Sequence, residues 1–179
     1  MIVNTRPSIL ANKTNELLAR SGIEFMHEPL TKILSISPSN QALEKLQQLD
    51  SYDAIIFTSQ SAAKFGAPYL QRHTSKNLNL LIMAIGLATQ RVLSAHGLVS
   101  EVPLGFNSAG LAGLIEQGKH EKCLIFCGGK QPQLSFHTPV TLDTFSCYKV
   151  IDEESIELSI IHIAEPTRPL YISYAVFCL

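Results

Sequence analysis

Short, continuous apolar runs alternate along this chain with stretches whose apolar positions recur every three to four residues, a pattern that predicts strands separated by amphipathic helices. Met1–Asn4 predicts a first strand. Ala11–Ser21 predicts a helix with Leu10, Thr14, Leu17 and Leu18 on one face and Gly22 as its left-handed stop. Ile23–Met26 predicts a second strand. His27 to Ile36 reads as extended, since Pro29 cannot sit inside a helix, and suits a linker strand. Asn40 stands where it would cap a helix over Gln41–Leu49, with Leu43, Leu46 and Leu49 as its stripe.

Ala54–Thr58 is apolar almost throughout, as a parallel strand buried on both faces would be, and Ser59 or Ser61 can cap the helix after it. Leu80–Ile85 repeats the pattern. Gly86 ends that strand, and a helix to His96 would turn Ala88, Val92 and Ala95 inward, with Gly97 closing it. Leu98–Val102 reads as a short strand. Ser108 would cap a helix carrying Leu111, Leu114 and Ile115 up to Gly118. Cys123–Cys127 leads as a strand into Gly128-Gly129-Lys130, and Phe145–Ile151 is extended.

Buried strands alternating with helices predict an α/β fold with a doubly wound parallel sheet. Ligands of such sheets sit beyond the carboxyl ends of the strands. The segments at those ends are Thr5-Arg6, Thr58-Ser59-Gln60, Gly86 to Thr89, and Gly128-Gly129-Lys130. They are rich in hydroxyls and glycines. Each is expected to open a helix, whose N-terminal N–H groups suit an anion.

Composition narrows the function. Of 179 residues, 46 % are apolar, and 14 basic against 15 acidic side chains leave a net charge of −1. No basic face marks a nucleic-acid partner. No signal-peptide pattern and no stretch of membrane-spanning length occur, so the expectation is a cytoplasmic protein with no membrane partner. The four cysteines, Cys123, Cys127, Cys147 and Cys178, include no Cys-x-x-Cys pair, and the six histidines are scattered. Buried free thiols are expected, and no metal site.

Motifs exclude several chemistries. Gly128-Gly129-Lys130 lacks the rest of a phosphate loop, no Gly-x-Gly-x-x-Gly follows the first strand, and no nucleophile elbow occurs. Asp152-Glu153-Glu154 reads as a solvated turn. Ser59 is as consistent with simple helix capping as with ligand binding, and Thr89 with packing. Tyr148 could present a phenol to a cleft, although composition alone favours an ordinary half-buried strand tyrosine.

Several segments together resemble the uroporphyrinogen-III synthase family. They are Thr5-Arg6-Pro7 after the first strand, the run from Tyr52 to Ala62 through Thr58-Ser59, and Ala84-Ile85-Gly86-Leu87-Ala88-Thr89 with Leu93 and Gly97. Val102-Pro103 with Ser108, Gly110 and Leu111, the strand Leu124–Gly128, and Cys147-Tyr148-Lys149 continue the match in order over about residues 1–150. The resemblance implies two flavodoxin-like doubly wound domains joined by a two-stranded linker. Residues 1–30 and 152–179 would form the first, residues 37–146 the inserted second, and residues 31–36 and 147–151 the linker strands. It also implies the substrate, hydroxymethylbilane, a linear tetrapyrrole with eight carboxylates. This is closed to uroporphyrinogen III with loss of water and inversion of the last ring, without cofactor or metal. Tyr148 would be the proton donor, and Arg6, Thr58, Ser59, Gln60, Gly86, Thr89, Ser108 and Lys130 would bind substrate.

Two departures accompany the resemblance. The family pattern continues with a further strand–Ser–helix and Gly-x-x-Thr block, where Ile156–Leu179 offers one helix and one strand, Leu170–Phe177. Lys130–Asp143, with Pro132 and Pro139, has weak helical periodicity. The expectation is therefore a C-terminally truncated member with an incomplete first domain, a monomer or a dimer completed in trans. The alternatives are a truncated non-catalytic relative and a flavodoxin-like ligand-binding module.

Overall fold

The computed structural model describes residues 1–73, 80–129 and 134–153. Lys130, Cys178, and the helix and strand expected within Ile156–Leu179 lie outside them. The described chain forms two compact units, one of Met1–Thr31 with Asp152 and Glu153, the other of Lys32–Ile151.

In the first unit, β1 (Ile2–Asn4) and β2 (Phe25–His27) pair in parallel across α1 (Ser8–Arg20). Gly22 takes a left-handed φ of +64°, and the N–H of Ile23 reaches back to the Leu18 carbonyl, closing α1. Ala11 is the buried residue of α1, and Leu17, expected on the inner face, is 65 % exposed. Asn4, almost fully buried, is satisfied locally: its Nδ2 donates to Asn15 Oδ1 at 2.6 Å and its Oδ1 accepts the Arg6 N–H.

The second unit is a five-stranded sheet in the order β3-β7-β6-β4-β5. Its strands are β3 (Thr31–Ser35), β4 (Ala54–Phe57), β5 (Leu81–Ala84), β6 (Lys122–Gly128) and β7 (Thr141–Asp152). β4 runs parallel to both β5 and β6, and β6 parallel to β7. Helices cover both faces. On one face α2 (Asn40–Gln47), α3 (Gln60–His73) and α4 (Leu87–Ala95) bury Leu46, Ala63, Leu70 and Leu93 against Ile55, Phe57, Leu124, Phe126 and Phe145. On the other, α5 (Ser108–Gln117) sets Leu111 and Ile115 against Ile56, Met83, Cys123, Ile125 and Cys127. Cys123 and Cys127, four apart, face the same way, as the strand period requires.

Four local expectations are corrected. Ser39, not Asn40, caps α2, its hydroxyl accepting the Ala42 N–H. Asn107, not Ser108, caps α5 through the Gly110 N–H; Ser108 is the first helical residue. α4 turns Thr89 and Leu93 inward and leaves Ala88 and Ala95 exposed. Leu98–Val102 is no strand but makes a single bridge, Glu101 to Met83, and Val99 within it is 90 % exposed.

Candidate functional site

The parallel register brings the carboxyl ends of four strands to one edge of the second unit. Phe57 of β4 stands level with Ala84 of β5 and with Phe126 of β6, and Gly128 of β6 with Tyr148 of β7. Thr58-Ser59-Gln60, Gly86 to Thr89, Gly128-Gly129 and Tyr148 therefore share that edge. α3 and α4, which start there, pack on each other.

Ser59 and Tyr148 meet. Their hydroxyl oxygens lie 3.1 Å apart, and Ser59 Oγ also accepts the Ala62 N–H at 2.9 Å, capping α3. The Tyr148 ring lies tilted against Phe65, with ring centres 6.4 Å apart. Thr58, one residue earlier, turns its hydroxyl inward and donates to the Phe126 carbonyl at 3.1 Å. Its hydrogen is thus used to tie β4 to β6. Gln60 opens α3 and is partly exposed. Gly86 precedes α4 in extended conformation, its carbonyl accepting the Gln90 N–H, and Thr89 is buried in the first turn.

The aim of Tyr148 comes from an irregularity in β7. Leu142 packs on the α5 face of the sheet and Phe145 on the opposite face, so Tyr148 by strict alternation would join Leu142. The register shifts between Cys127, opposite Ser146, and Gly128, opposite Tyr148, so Cys147 is an extra residue. After this bulge both Cys147 and Tyr148 pack on the α3 face. The Cys147 thiol points to the Cys127 and Ala62 carbonyls, and burial first, then the neighbouring Cys127, pushes it up to about 12. It is packing material and no nucleophile.

The remaining expected residues are placed elsewhere. Ser108 opens α5 on the opposite sheet face and lines a groove of about 410 Å³ with Glu116 and His137. Arg6 belongs to the first unit, where its guanidinium donates to Thr14 Oγ1 at 3.1 Å and its carbonyl accepts from His27 Nε2. Among the described residues no three His, Cys, Asp or Glu side chains gather as metal ligands, and no helix is long and apolar enough to cross a membrane.

The parts that two residues play at this edge escape sequence reasoning. Gly128 reads in sequence as part of a turn, yet a Cβ there would stand 2.8 Å from the Tyr148 ring. Phe106 holds a left-handed φ of 46°, 54 % exposed, with its Cβ beside Gly86. An aromatic residue in that conformation carries strain, and nothing in Gly105-Phe106-Asn107 announces it.

Comparison with known proteins fits this architecture. A mutant uroporphyrinogen III synthase from the extremely thermophilic bacterium Thermus thermophilus superposes with a TM-score of 0.59 at 16 % identity, over 85 % of this chain and 63 % of that one. The wild-type enzyme in another crystal form gives a TM-score of 0.50 at 16 % identity, over 85 % and 62 %. This chain thus spans less than two thirds of their length, and at such identity the likeness is one of fold. The family model described as uroporphyrinogen-III synthase HemD matches residues 12–135, a stretch that takes in Thr58, Ser59, Gly86 and Thr89 and stops short of Tyr148. With most of the chain matched, the chain belongs to the uroporphyrinogen-III synthase family.

Proposed function

We propose that this chain closes hydroxymethylbilane to uroporphyrinogen III at the carboxyl edge of its second unit, in tetrapyrrole biosynthesis in the cytoplasm. Family membership over residues 12–135 carries the reading, and the Ser59–Tyr148 pair at the strand ends supports it. The finer architecture we assign is two flavodoxin-like domains, residues 1–30 with 152–179 and residues 37–146, joined by linker strands 31–36 and 147–151. The protein acts as a monomer or as a dimer.

The chemistry asks little beyond placement and one proton. The bilane's terminal hydroxyl leaves as water once protonated, and the last pyrrole ring then attacks the cationic end to form a spiro intermediate through which that ring is inverted. Tyr148 is the proton donor. The proton released when the substituted pyrrole ring regains its aromaticity returns to the phenolate, so atoms and charge balance. The eight carboxylates do not need a basic protein. First-turn N–H groups of α3 and α4, around Ser59-Gln60 and Gly86 to Thr89, are charge-complementary to them, each such contact contributing about 0.3–1 kcal/mol. The exposed ring of Phe106 beside Gly86 offers a pyrrole an apolar surface. Arg6, Ser108 and Lys130 are further carboxylate partners in this reading.

The test is product analysis with freshly prepared bilane, which closes spontaneously to the type I isomer. Type III product above the protein-free control is the expected result. Type I alone from folded protein would overturn the reading and leave a relative that shares the fold without the turnover.

A further inference from the structure

Ser59 stands among the substrate-binding candidates, but its surroundings give it different work. Its oxygen accepts the Ala62 N–H at 2.9 Å and lies 3.1 Å from the phenol oxygen. A serine oxygen that already holds one donor has its own single hydrogen left to give. Among the described residues, the acceptor within reach is Tyr148. We propose that Ser59 is a positioning residue, which donates its hydrogen to the Tyr148 oxygen and so leaves the phenol's own hydrogen directed away from the protein, toward whatever occupies the strand-end edge. This deepens the reading of Tyr148 as proton donor and rests on it.

Three features of the fold hold the pair in that arrangement. The bulge at Cys147 brings the phenol to the α3 face. Gly128 supplies the room: a Cβ there would lie 2.8 Å from Cζ and 2.9 Å from Cε2 of the ring. The Ala62 N–H fixes the serine oxygen, since it belongs to the first turn of α3. When the phenol gives its proton to the departing hydroxyl, the C–O bond breaks, water leaves, and the phenolate keeps the serine hydrogen bond. That bond is charge-assisted in the product of the step and neutral before it, so it favours the transition state over the ground state.

The experiment compares wild type with Ser59→Ala, Ser59→Gly, Ser59→Thr and Gly128→Ala. Glycine is included because it keeps most of the capping stability that alanine loses. Removal of the hydroxyl is expected to lower kcat for type III formation about 10- to 100-fold with KM within about twofold. Ser59→Thr restores most of the loss. A rise in KM with kcat intact would overturn the proposal and make Ser59 a substrate ligand, and full activity in Ser59→Gly would reduce it to a helix cap.

A second readout needs no turnover. With tyrosines replaced by 3-fluorotyrosine, the ¹⁹F resonance that disappears in Tyr148→Phe should move in Ser59→Gly and in Gly128→Ala. An unmoved resonance in folded Ser59→Gly overturns the hydrogen bond whether or not the protein is active. A moved resonance in a protein that makes only type I product supports the hydroxyl pair and overturns the synthase reading alone.

Discussion

Asp143 carries its charge at the amino end of β7, and three side chains answer it. Tyr52 donates its hydroxyl hydrogen to the carboxylate at 2.8 Å, Lys45 stands at 3.4 Å, and Lys122 lies over the Tyr52 ring. Partial burial raises the carboxyl, but the Tyr52 hydrogen bond and the two ammonium groups outweigh it and hold it below the usual range. Burial and the same carboxylate push the Tyr52 phenol upward. A carboxyl depressed in the folded state stabilises the fold above its unfolded value, about 3.9, and loses that contribution as pH falls through the folded value. Asp143→Asn is therefore expected to cost about 1–2 kcal/mol at neutral pH, with the gap from wild type closing as pH falls through the lowered value of the folded carboxyl. Urea unfolding across that range checks it, and a gap constant with pH would contradict it. Tyr52 and Asp143 are 91 residues apart in sequence, so no local pattern could reveal this pair. The Tyr148–Ser59 contact, separated by 89 residues, is likewise beyond periodicity, which can name each residue as a candidate but not bring the two together.

At the scale of elements, α3 owes its closeness to the sheet to Gly66. A Cβ there would run into Phe126 Cδ1 and stand 3.2 Å from Phe57, two rings stacked with centres 4.6 Å apart. Alanine would gain about 1 kcal/mol of helix propensity. The clash falls on fully buried rings that cannot step aside, and overpacking of that kind costs about 1–3 kcal/mol. Gly66→Ala should thus lower the melting temperature, and a rise would show that the helix can retreat at no cost. The strands β4, β5 and β6 were legible because their cores are apolar without interruption, and buried parallel strands have no other signature. Caps were legible only to within a residue: Ser39-Asn40 and Asn107-Ser108 each set two good capping residues side by side, and backbone geometry chooses between them. On α4 the expectation holds for Val92, which packs against the core, and fails for Ala88 and Ala95, since Thr89 and Leu93 are the buried pair. The bulge at Cys147 has no sequence signal at all, yet it decides where the phenol points.

At the scale of the molecule, a sheet with parallel β7, β6, β4 and β5 gathers segments scattered from Thr58 to Tyr148 along one edge. That gathering was legible early, since alternating buried strands and helices fix both the sheet type and the end at which ligands lie. What the pattern could not separate is which strand-end residues serve the fold and which face outward. Thr58 turned its hydroxyl into the sheet, and Ser108 went to the far face. We propose this edge as the catalytic one, with Tyr148 its proton donor. The most direct measurement is the fraction of type III isomer formed from hydroxymethylbilane in single turnover by wild type and Tyr148→Phe side by side. Type III product is expected from wild type, and a rate at least about 100-fold lower from Tyr148→Phe, at unchanged thermal stability. Undiminished type III formation by Tyr148→Phe would contradict it.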